Sequence, residues 1–155
     1  MQELTKDINN EYDRVKAVHD WVAENIYYDY DALYSGSYQD MDARNVLMTK
    51  KGVCEGYANL TAALLRSIGI PCRIQGGYAL GIDTKKEWSA SNIDTTEENH
   101  AWNEVYADGR WIIVDVTWDS QNQYKDGRYI IGETVTQTYF DSTLEFFSLS
   151  HKFID

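Results

Sequence analysis

Cys54 is the residue of this 155-residue chain whose position most favours nucleophilic chemistry. It follows Gly52 and Val53 and opens a stretch, residues 54–68, in which apolar residues recur every three or four positions. This spacing predicts a helix that begins at Cys54. A helix N-terminus carries partial positive charge and unpaired backbone N–H groups, which stabilise a thiolate and an oxyanion. We also expect Gly52 and Gly56 to let a substrate approach the backbone closely.

The second cysteine, Cys72, follows Ile70 and Pro71 at the start of a predicted strand, where a small buried side chain fits. By its position alone, Cys54 could equally be a buried residue of this kind. Two cysteines do not make a disulfide framework, and although one bridge is possible on count, their different settings indicate that each acts alone. Cysteine usage therefore does not decide the compartment.

His100 and Asp115 lie on either side of Asp108-Gly109, a dipeptide typical of a two-residue β-hairpin turn. Such a turn places Trp102 opposite Asp115 on the neighbouring strand. His100 and Asp115 then share one face as diagonal neighbours, with backbones roughly 7–8 Å apart, so the imidazole and the carboxylate can form a hydrogen bond. A three-residue turn would put them on opposite faces.

Cys54, His100 and Asp115 form a candidate triad of nucleophile, general base and orienting group. A carboxylate bonded to one imidazole nitrogen fixes the tautomer and leaves the other nitrogen to take a proton from a thiol. Taken singly, His100 could be a loop-edge residue and Asp115 a turn or capping carboxylate; their coincidence with a helix-start cysteine favours the triad. We expect His19 on a helix surface and His151 in local packing or hydrogen bonding.

The elements that must position these residues are mostly helices first and strands after. We predict a helix over 4–26, a loop over 27–42, a short helix over 42–50 capped by Asp42, the helix over 54–68, a strand over 72–80, a loop over 81–99, a hairpin over 100–119, and strands at 129–131 and 144–149. This order predicts an α+β fold with an antiparallel sheet. Without repeats or linkers, we expect one domain over 1–155, with a core at about 4–120 and an extension over 121–155.

The composition restricts the partners and cofactors of the chain. Asp plus Glu number 25 against 14 Lys plus Arg, a net charge of −11, which repels nucleic acid. No apolar run reaches the roughly 18 residues of a membrane span, and the first residues are not typical of a signal peptide. Asp29, Asp31, Asp40 and Asp42 lack the spacing of a calcium loop, so we expect solvated charges, no metal and no cofactor.

Three motifs occur in an order that resembles the bacterial transglutaminase-like family of the papain-like cysteine enzyme superfamily. They are GVCEGYA with a following GIP at 52–58 and 69–71, HAWN at 100–103, and VDVTWD at 114–119, preceded by the aromatic segment IYYDY at 26–30. The resemblance spans roughly residues 15–120. It implies a papain-like α+β fold with the nucleophile helix packed on an antiparallel sheet. It also implies that Cys54 is the nucleophile, His100 the general acid and base, and Asp115 the orienting residue.

The resemblance further implies a thioester formed with an amide carbonyl, whose acyl group passes to water or to an amine. Besides the Cys54 backbone N–H, a Tyr28 hydroxyl or a Trp102 indole could donate to the oxyanion. Aromatic packing is the alternative for both residues, and it is the favoured one for Trp102. We expect hydrolysis rather than crosslinking, because no acidic slot for an amine is evident, although specific residues could form one: Glu55, Glu97 and Glu98.

Similar domains often belong to larger secreted or surface bacterial proteins, so we expect a protein or peptide substrate, a place in a larger multidomain protein, and an extracellular or cell-surface location. The alternative function is a catalytically silent module that binds a protein or glycan through its tyrosine-rich surface. The intact set of three candidate residues argues against that alternative.

Overall fold

The computed structural model describes residues 2–80 and 98–153. Its elements in chain order are α1 (Gln2–Thr5), α2 (Glu11–Asn25), β1 (Tyr27–Asp29), α3 (Tyr30–Ser35), α4 (Ala43–Thr49), β2 (Lys51–Gly52), α5 (Cys54–Ser67), β3 (Cys72–Ala79), β4 (His100–Ala107), β5 (Arg110–Val114), α6 (Val116–Asp119), β6 (Gln123–Lys125), β7 (Arg128–Ile130), α7 (Leu144–Phe147) and β8 (His151–Phe153). The predicted loop over 81–99 lies almost wholly outside the described residues. No helix in the two described ranges has the length and apolar character needed to cross a membrane.

The strands form two four-stranded sheets. One sheet has the order β5-β4-β3-β8 and is antiparallel throughout. The other has the order β2-β1-β6-β7, in which β1 runs parallel to both β2 and β6. Helix α5 packs on β3 and β4 of the antiparallel sheet, and α2 and α4 cover α5. This arrangement confirms the predicted α+β fold with a cysteine-bearing helix on an antiparallel sheet.

Helix α5 follows the sequence prediction because its apolar residues form one continuous buried stripe. Tyr57, Leu60 and Leu65 are each almost fully buried in the main core, together with residues of α2. The helix ends where Gly69 takes a left-handed conformation, with φ of 80°, a common termination signal. Cys72 begins β3, is buried and, like Cys54, is a free thiol, so no disulfide joins the two residues.

The hairpin has the predicted register, but it ends earlier than predicted. Ala107 pairs with Arg110, and the pairing continues to Asn103 with Val114. Asp115 is the next residue, and its backbone N–H donates to Tyr139 O at 2.9 Å instead of joining the ladder. The prediction that Trp102 pairs with Asp115 in the sheet is therefore wrong, and residues 116–119 are helical.

The N-terminal segment is not one helix, because Asn10 starts a new one. Its Oδ1 accepts the Asp13 backbone N–H at 2.7 Å and caps α2. Residues 27–42, predicted to be a loop, contain β1 and α3, and Asp29 caps α3 by accepting the Ala32 N–H at 3.0 Å. The predicted cap at Asp42 is confirmed, since its Oδ1 accepts the backbone N–H three residues on, at 2.7 Å.

The segment after residue 120 takes part in both sheets. Strand β6 pairs with β1, and β8 pairs with β3. The run at 144–149, predicted to be a strand, is instead the short helix α7, because the Thr143 hydroxyl caps the Phe146 N–H. The strand of this region is β8, and it brings His151 to the edge of the antiparallel sheet.

Candidate active site

Cys54 is the first residue of α5 and is partly exposed. The preceding residue, Val53, is the N-cap and supplies no side-chain hydrogen bond to the helix. The first turn of this 14-residue helix therefore has no side-chain acceptor at its cap, and its positive end is directed at the sulfur. This is the environment that the sequence predicted for the thiol.

Gly52 and Gly56 serve helix packing rather than substrate access. A Cβ on Gly56 would lie 2.9 Å from Cγ2 of Val46 and 3.1 Å from Sδ of Met41, and one on Gly52 would lie 3.4 Å from the same Val46 atom. Both glycines are buried. The expectation that they open the backbone to substrate is therefore wrong: they let α4 and the Met41 side chain lie close to α5.

His100 and Asp115 form a short buried hydrogen bond, with His100 Nε2 2.7 Å from Asp115 Oδ2. Burial disfavours a charged imidazole, but the Asp115 carboxylate and the Cys54 side chain outweigh it and raise the pKa of His100 to about 10. Burial likewise opposes a charged carboxylate at Asp115, and His100 and His151 outweigh it and lower its pKa to about 2. The structure thus brings Cys54, His100 and Asp115 together, with a charged His100–Asp115 pair at neutral pH.

Cys54 and Asp115 contact the His100 ring at different nitrogen atoms. Because Nε2 of His100 is bonded to Asp115, Nδ1 is the nitrogen left to serve Cys54, whose side chain interacts with the ring through a hydrogen bond and its charge. An imidazolium held in this way has a proton on Nδ1 to give to a leaving group, and the neutral ring that remains can then take a proton back.

His151 is a second imidazole partner of Asp115 that the sequence did not reveal. Its Nε2 lies 2.8 Å from the same Oδ2 atom, and its Nδ1 lies 2.9 Å from Ser150 Oγ. Burial lowers the pKa of His151, the hydrogen bond to Asp115 opposes this, and the nearby His100 adds to the lowering. The expected local packing and hydrogen bonding are present, at Phe147 and Ser150, and the bond to Asp115 in addition joins β8 to the start of α6. The nearest signal in the sequence is the apolar run at 144–149, which predicts a strand but forms α7, whereas the strand begins at His151.

The distances among His100, Asp115 and His151 are those of hydrogen bonds and are shorter than those between the ligands of a zinc ion. Among the described residues, His100, Asp115 and His151 are the group whose possible ligand atoms cluster, all within 4.8 Å of one another. Each imidazole lies 2.7 or 2.8 Å from the carboxylate oxygen. Two ligands of one tetrahedral zinc ion lie about 3.3 Å apart at the usual bond lengths. The shorter distances fit an N–H donating to the oxygen.

The loop aspartates have structural partners. Asp29 is 3% exposed and caps α3, so the expectation that it is a solvated charge is wrong. Asp31 accepts the backbone N–H groups of Asp126 and Gly127, each at 2.8 Å. These contacts hold loops and helix starts in place.

His19, expected on the surface, is fully buried between two carboxylates. Its Nδ1 lies 2.7 Å from Asp20 Oδ1, and its Nε2 lies 2.8 Å from Asp119 Oδ2. Burial opposes the charged form, but the two carboxylates outweigh it and raise the pKa of His19. The expectation is wrong because α6 packs on this face of α2, which a helical pattern alone does not show.

The two aromatic candidates lie in different places. Tyr28 lines the space beside both Cys54 and His100. Burial first, and then negative charge at Cys54, raises the pKa of Tyr28, so its hydroxyl stays protonated and able to donate. Trp102 is 1% exposed, packs edge-on against Phe147 with ring centres 5.2 Å apart, and lines neither cavity at the site.

Two cavities share Tyr28 and Leu33 in their walls; Cys54 lines one of them, and His100 lines the other. The cavity that includes Cys54 has a volume of about 540 Å³. The cavity that includes His100 has a volume of about 570 Å³ and a wall of neutral hydroxyl and amide side chains.

The Cys54 cavity has an acidic wall, which corrects the expectation that no acidic slot is present; its acidic members are Asp40, Asp42 and Glu55. Of the other two candidates for such a slot, Glu98 is exposed and lines neither cavity, and Glu97 lies outside the described residues.

Sequence comparisons relate the chain to proteins of several organisms. The model of the family described as the transglutaminase-like superfamily matches residues 1–116. Kyphoscoliosis peptidase of Mus musculus and of Homo sapiens is 31% identical over 151 residues, which is 97% of this chain and 21% of theirs. YebA of Bacillus subtilis (strain 168) is 33% identical over 121 residues, which is 74% of this chain and 16% of YebA. The chain thus spans about a fifth of the length of kyphoscoliosis peptidase, and its match covers about a sixth of YebA.

Solved structures show the same fold. A protein of Cytophaga hutchinsonii provisionally named a cysteine protease superposes with a TM-score of 0.57 and 26% identity, over 97% of this chain and 39% of that one. A structure named a TGase superposes with a TM-score of 0.55 and 26% identity, over 75% of this chain and 28% of that one.

Proposed function

Because the chain belongs to the transglutaminase-like superfamily, we propose that it is a cysteine-nucleophile enzyme that acts on amide bonds of proteins or peptides. The observation that carries this proposal is the position of the His100 ring, which is bonded to Asp115 through Nε2 and interacts with Cys54. A histidine between a carboxylate and a helix-start thiol is the arrangement that activates a cysteine nucleophile.

In the proposed reaction Cys54 attacks the amide carbonyl carbon as a thiolate, with the thiol proton held on Nδ1 of His100, and the C–O double bond opens to an oxyanion. The first N–H groups of α5 and the Tyr28 hydroxyl donate to that oxyanion. His100 then protonates the departing amine, the C–N bond breaks and a thioester remains on Cys54. A water molecule then attacks the thioester carbonyl carbon and gives a proton to the neutral His100 ring. The C–S bond breaks, which releases the carboxylic acid and restores the Cys54 thiolate beside a protonated His100.

Hydrolysis is the reaction we propose first, in keeping with relatives that are named as peptidases. Transfer of the acyl group to a primary amine is the second candidate, and the acidic wall of the Cys54 cavity favours it. The three carboxylates there (Asp40, Asp42 and Glu55) attract a cationic amine to the side of the thioester. Both reactions use the same sulfur, imidazole and carboxylate.

The experiment is incubation of the domain with a peptide library, with and without an added primary amine, read by mass spectrometry. Cleavage, deamidation and amine incorporation give three different mass changes. The Cys54→Ala variant is the control, since it keeps the fold and lacks the sulfur. No product from a folded wild-type domain, together with retention of a peptide or glycan, would refute the proposal and support the silent binding module.

A further inference from the structure

Asp115 depends on histidines for its hydrogen bonds. Its Oδ2 accepts Nε2–H of His100 at 2.7 Å and Nε2–H of His151 at 2.8 Å. Its Oδ1 is buried and has no hydrogen-bond partner within residues 2–80 and 98–153. Asp119, a neighbouring carboxylate that is also fully buried, receives a backbone N–H and a hydroxyl in addition to an imidazole. The hydrogen bonds from His100 and His151 therefore meet at one oxygen, and they are the side-chain contacts that orient Asp115 among the described residues.

His151 is itself held in one position. Its ring stacks on Phe147 with centres 3.8 Å apart and planes at 17°, and it lies 4.4 Å from the Trp118 ring. Nε2 faces the carboxylate and donates to it at 2.8 Å, and Nδ1 lies 2.9 Å from Ser150 Oγ. Because burial lowers the pKa of His151, we expect a neutral ring in the Nε2–H tautomer, although a hydrogen bond with the Phe147 backbone raises that pKa.

We infer that His151 is a positioning residue for the proposed reaction, one that holds the Asp115 carboxylate towards His100 and keeps it ionised. The inference rests on the proposed function. During that reaction His100 gains and loses a proton on Nδ1, and the charge opposite Asp115 changes each time. The N–H of His151 gives the carboxylate a partner that does not change, so its orientation and charge persist through both half-reactions.

The titratable groups around the His151 ring are few among the described residues. Asp115 and His100 face it from α6 and β4, and the Tyr139 ring lies 5.7 Å away. Loss of the His151 hydrogen bond leaves Asp115 easier to protonate, since this bond is one of the contacts that lower its pKa. The result is a loss of the charge that supports the His100 imidazolium as the pH falls.

The test is the pH profile of Cys54 alkylation by iodoacetamide, which requires no substrate. His151→Phe removes the donor but keeps a ring that fits against Phe147, and His151→Gln restores an N–H donor. The acid limb of the profile is the pH range in which the alkylation rate falls as the pH is lowered. We expect this limb to move to higher pH in His151→Phe, with an alkylation rate at about pH 5 that is about tenfold lower than in the wild type. In His151→Gln we expect the limb to return towards its wild-type position. His19→Gln, which alters another buried His–Asp pair, is the matched control and should leave the limb in place.

An unmoved acid limb in a folded His151→Phe variant overturns the inference, as does an equal shift in His19→Gln. If His151→Phe does not fold, nitrogen NMR of the wild type decides: an Nε2–H neutral ring at pH 7 supports the inference, and an Nδ1–H ring or an imidazolium overturns it. Alkylation that is unaffected by His100→Ala would refute the proposed function itself. Alkylation that His100→Ala slows and His151→Phe leaves unchanged would refute only the role of His151.

Discussion

Replacement of Asp115 by Asn tests the electrostatics of the site most fully. The substitution removes the negative charge and leaves one oxygen and one NH₂ group to face the two N–H donors that now meet at Oδ2, at 2.7 and 2.8 Å. The Asp115 carboxylate is the main reason why the pKa of His100 is raised to about 10. Without it, only Cys54 opposes the effect of burial, and we expect the pKa of His100 to fall towards the ordinary histidine value of about 6.5.

The size of the effect follows from these two pKa values. At pH 8, a ring with a pKa of about 10 is about 99% imidazolium, whereas a ring with a pKa of about 6.5 is about 3% imidazolium. The protonated form available to the leaving group therefore falls roughly 30-fold. Side-chain nitrogen NMR across a pH series measures the titration of His100 directly.

The matched control is Asp119→Asn, because Asp119 is equally buried and is paired with His19 at 2.8 Å. Both variants break a buried pair and should lose stability, on the order of 3–5 kcal/mol. Only Asp115→Asn should move the titration of His100. A His100 pKa that stays near 10 in Asp115→Asn would refute our assignment of its charge to this carboxylate.

Three further results are expected. Acid should destabilise the domain as the pH falls from about 4 towards 2, because the folded-state pKa of Asp115 is lowered to about 2 and the ionised carboxylate stabilises the fold fully only above this pH range. Circular dichroism measured against pH should show this loss of structure. An acid transition that is unchanged in Asp115→Asn would contradict it. Gly56→Ala should lower the midpoint of denaturant unfolding. Overpacking against Val46 costs about 1–3 kcal/mol, which we expect to outweigh the helix-propensity gain of about 1 kcal/mol. An equal or higher midpoint would disprove the close packing. Tyr28→Phe should reduce peptide turnover about 10²-fold without loss of stability, and full turnover would exclude the hydroxyl as an oxyanion donor.

The parts of the site that the sequence predicted are those set by local patterns. The spacing of apolar residues and the glycine at 69 define α5, so the helix-start position of Cys54 could be read directly. The Asp108-Gly109 turn predicted the hairpin register and the closeness of His100 and Asp115, although Asp115 lies one residue beyond the strand. Each of these signals lies within about 15 residues of the side chains that it positions.

The parts that the sequence missed depend on contacts between distant segments. His19 is buried by an aspartate 100 positions later, and nothing beside it in the chain reveals that partner. Asp115 leaves the hairpin early because Tyr139 O takes its N–H. The run at 144–149 is apolar enough for a strand or a helix, and only the cap at Thr143 decides it. His151 was missed as a consequence, since its strand lies just beyond.

The most direct test of the central claim is the alkylation rate of the two cysteines at pH 6, followed by mass spectrometry of each site. Burial raises the pKa of Cys72 to about 12, so its thiol should not react while the domain is folded. We predict rapid labelling of Cys54 in the wild type, and labelling slowed at least about tenfold in a folded His100→Ala variant. Equal labelling of the two cysteines, or a Cys54 rate that does not change in His100→Ala, would contradict a thiol activated by His100.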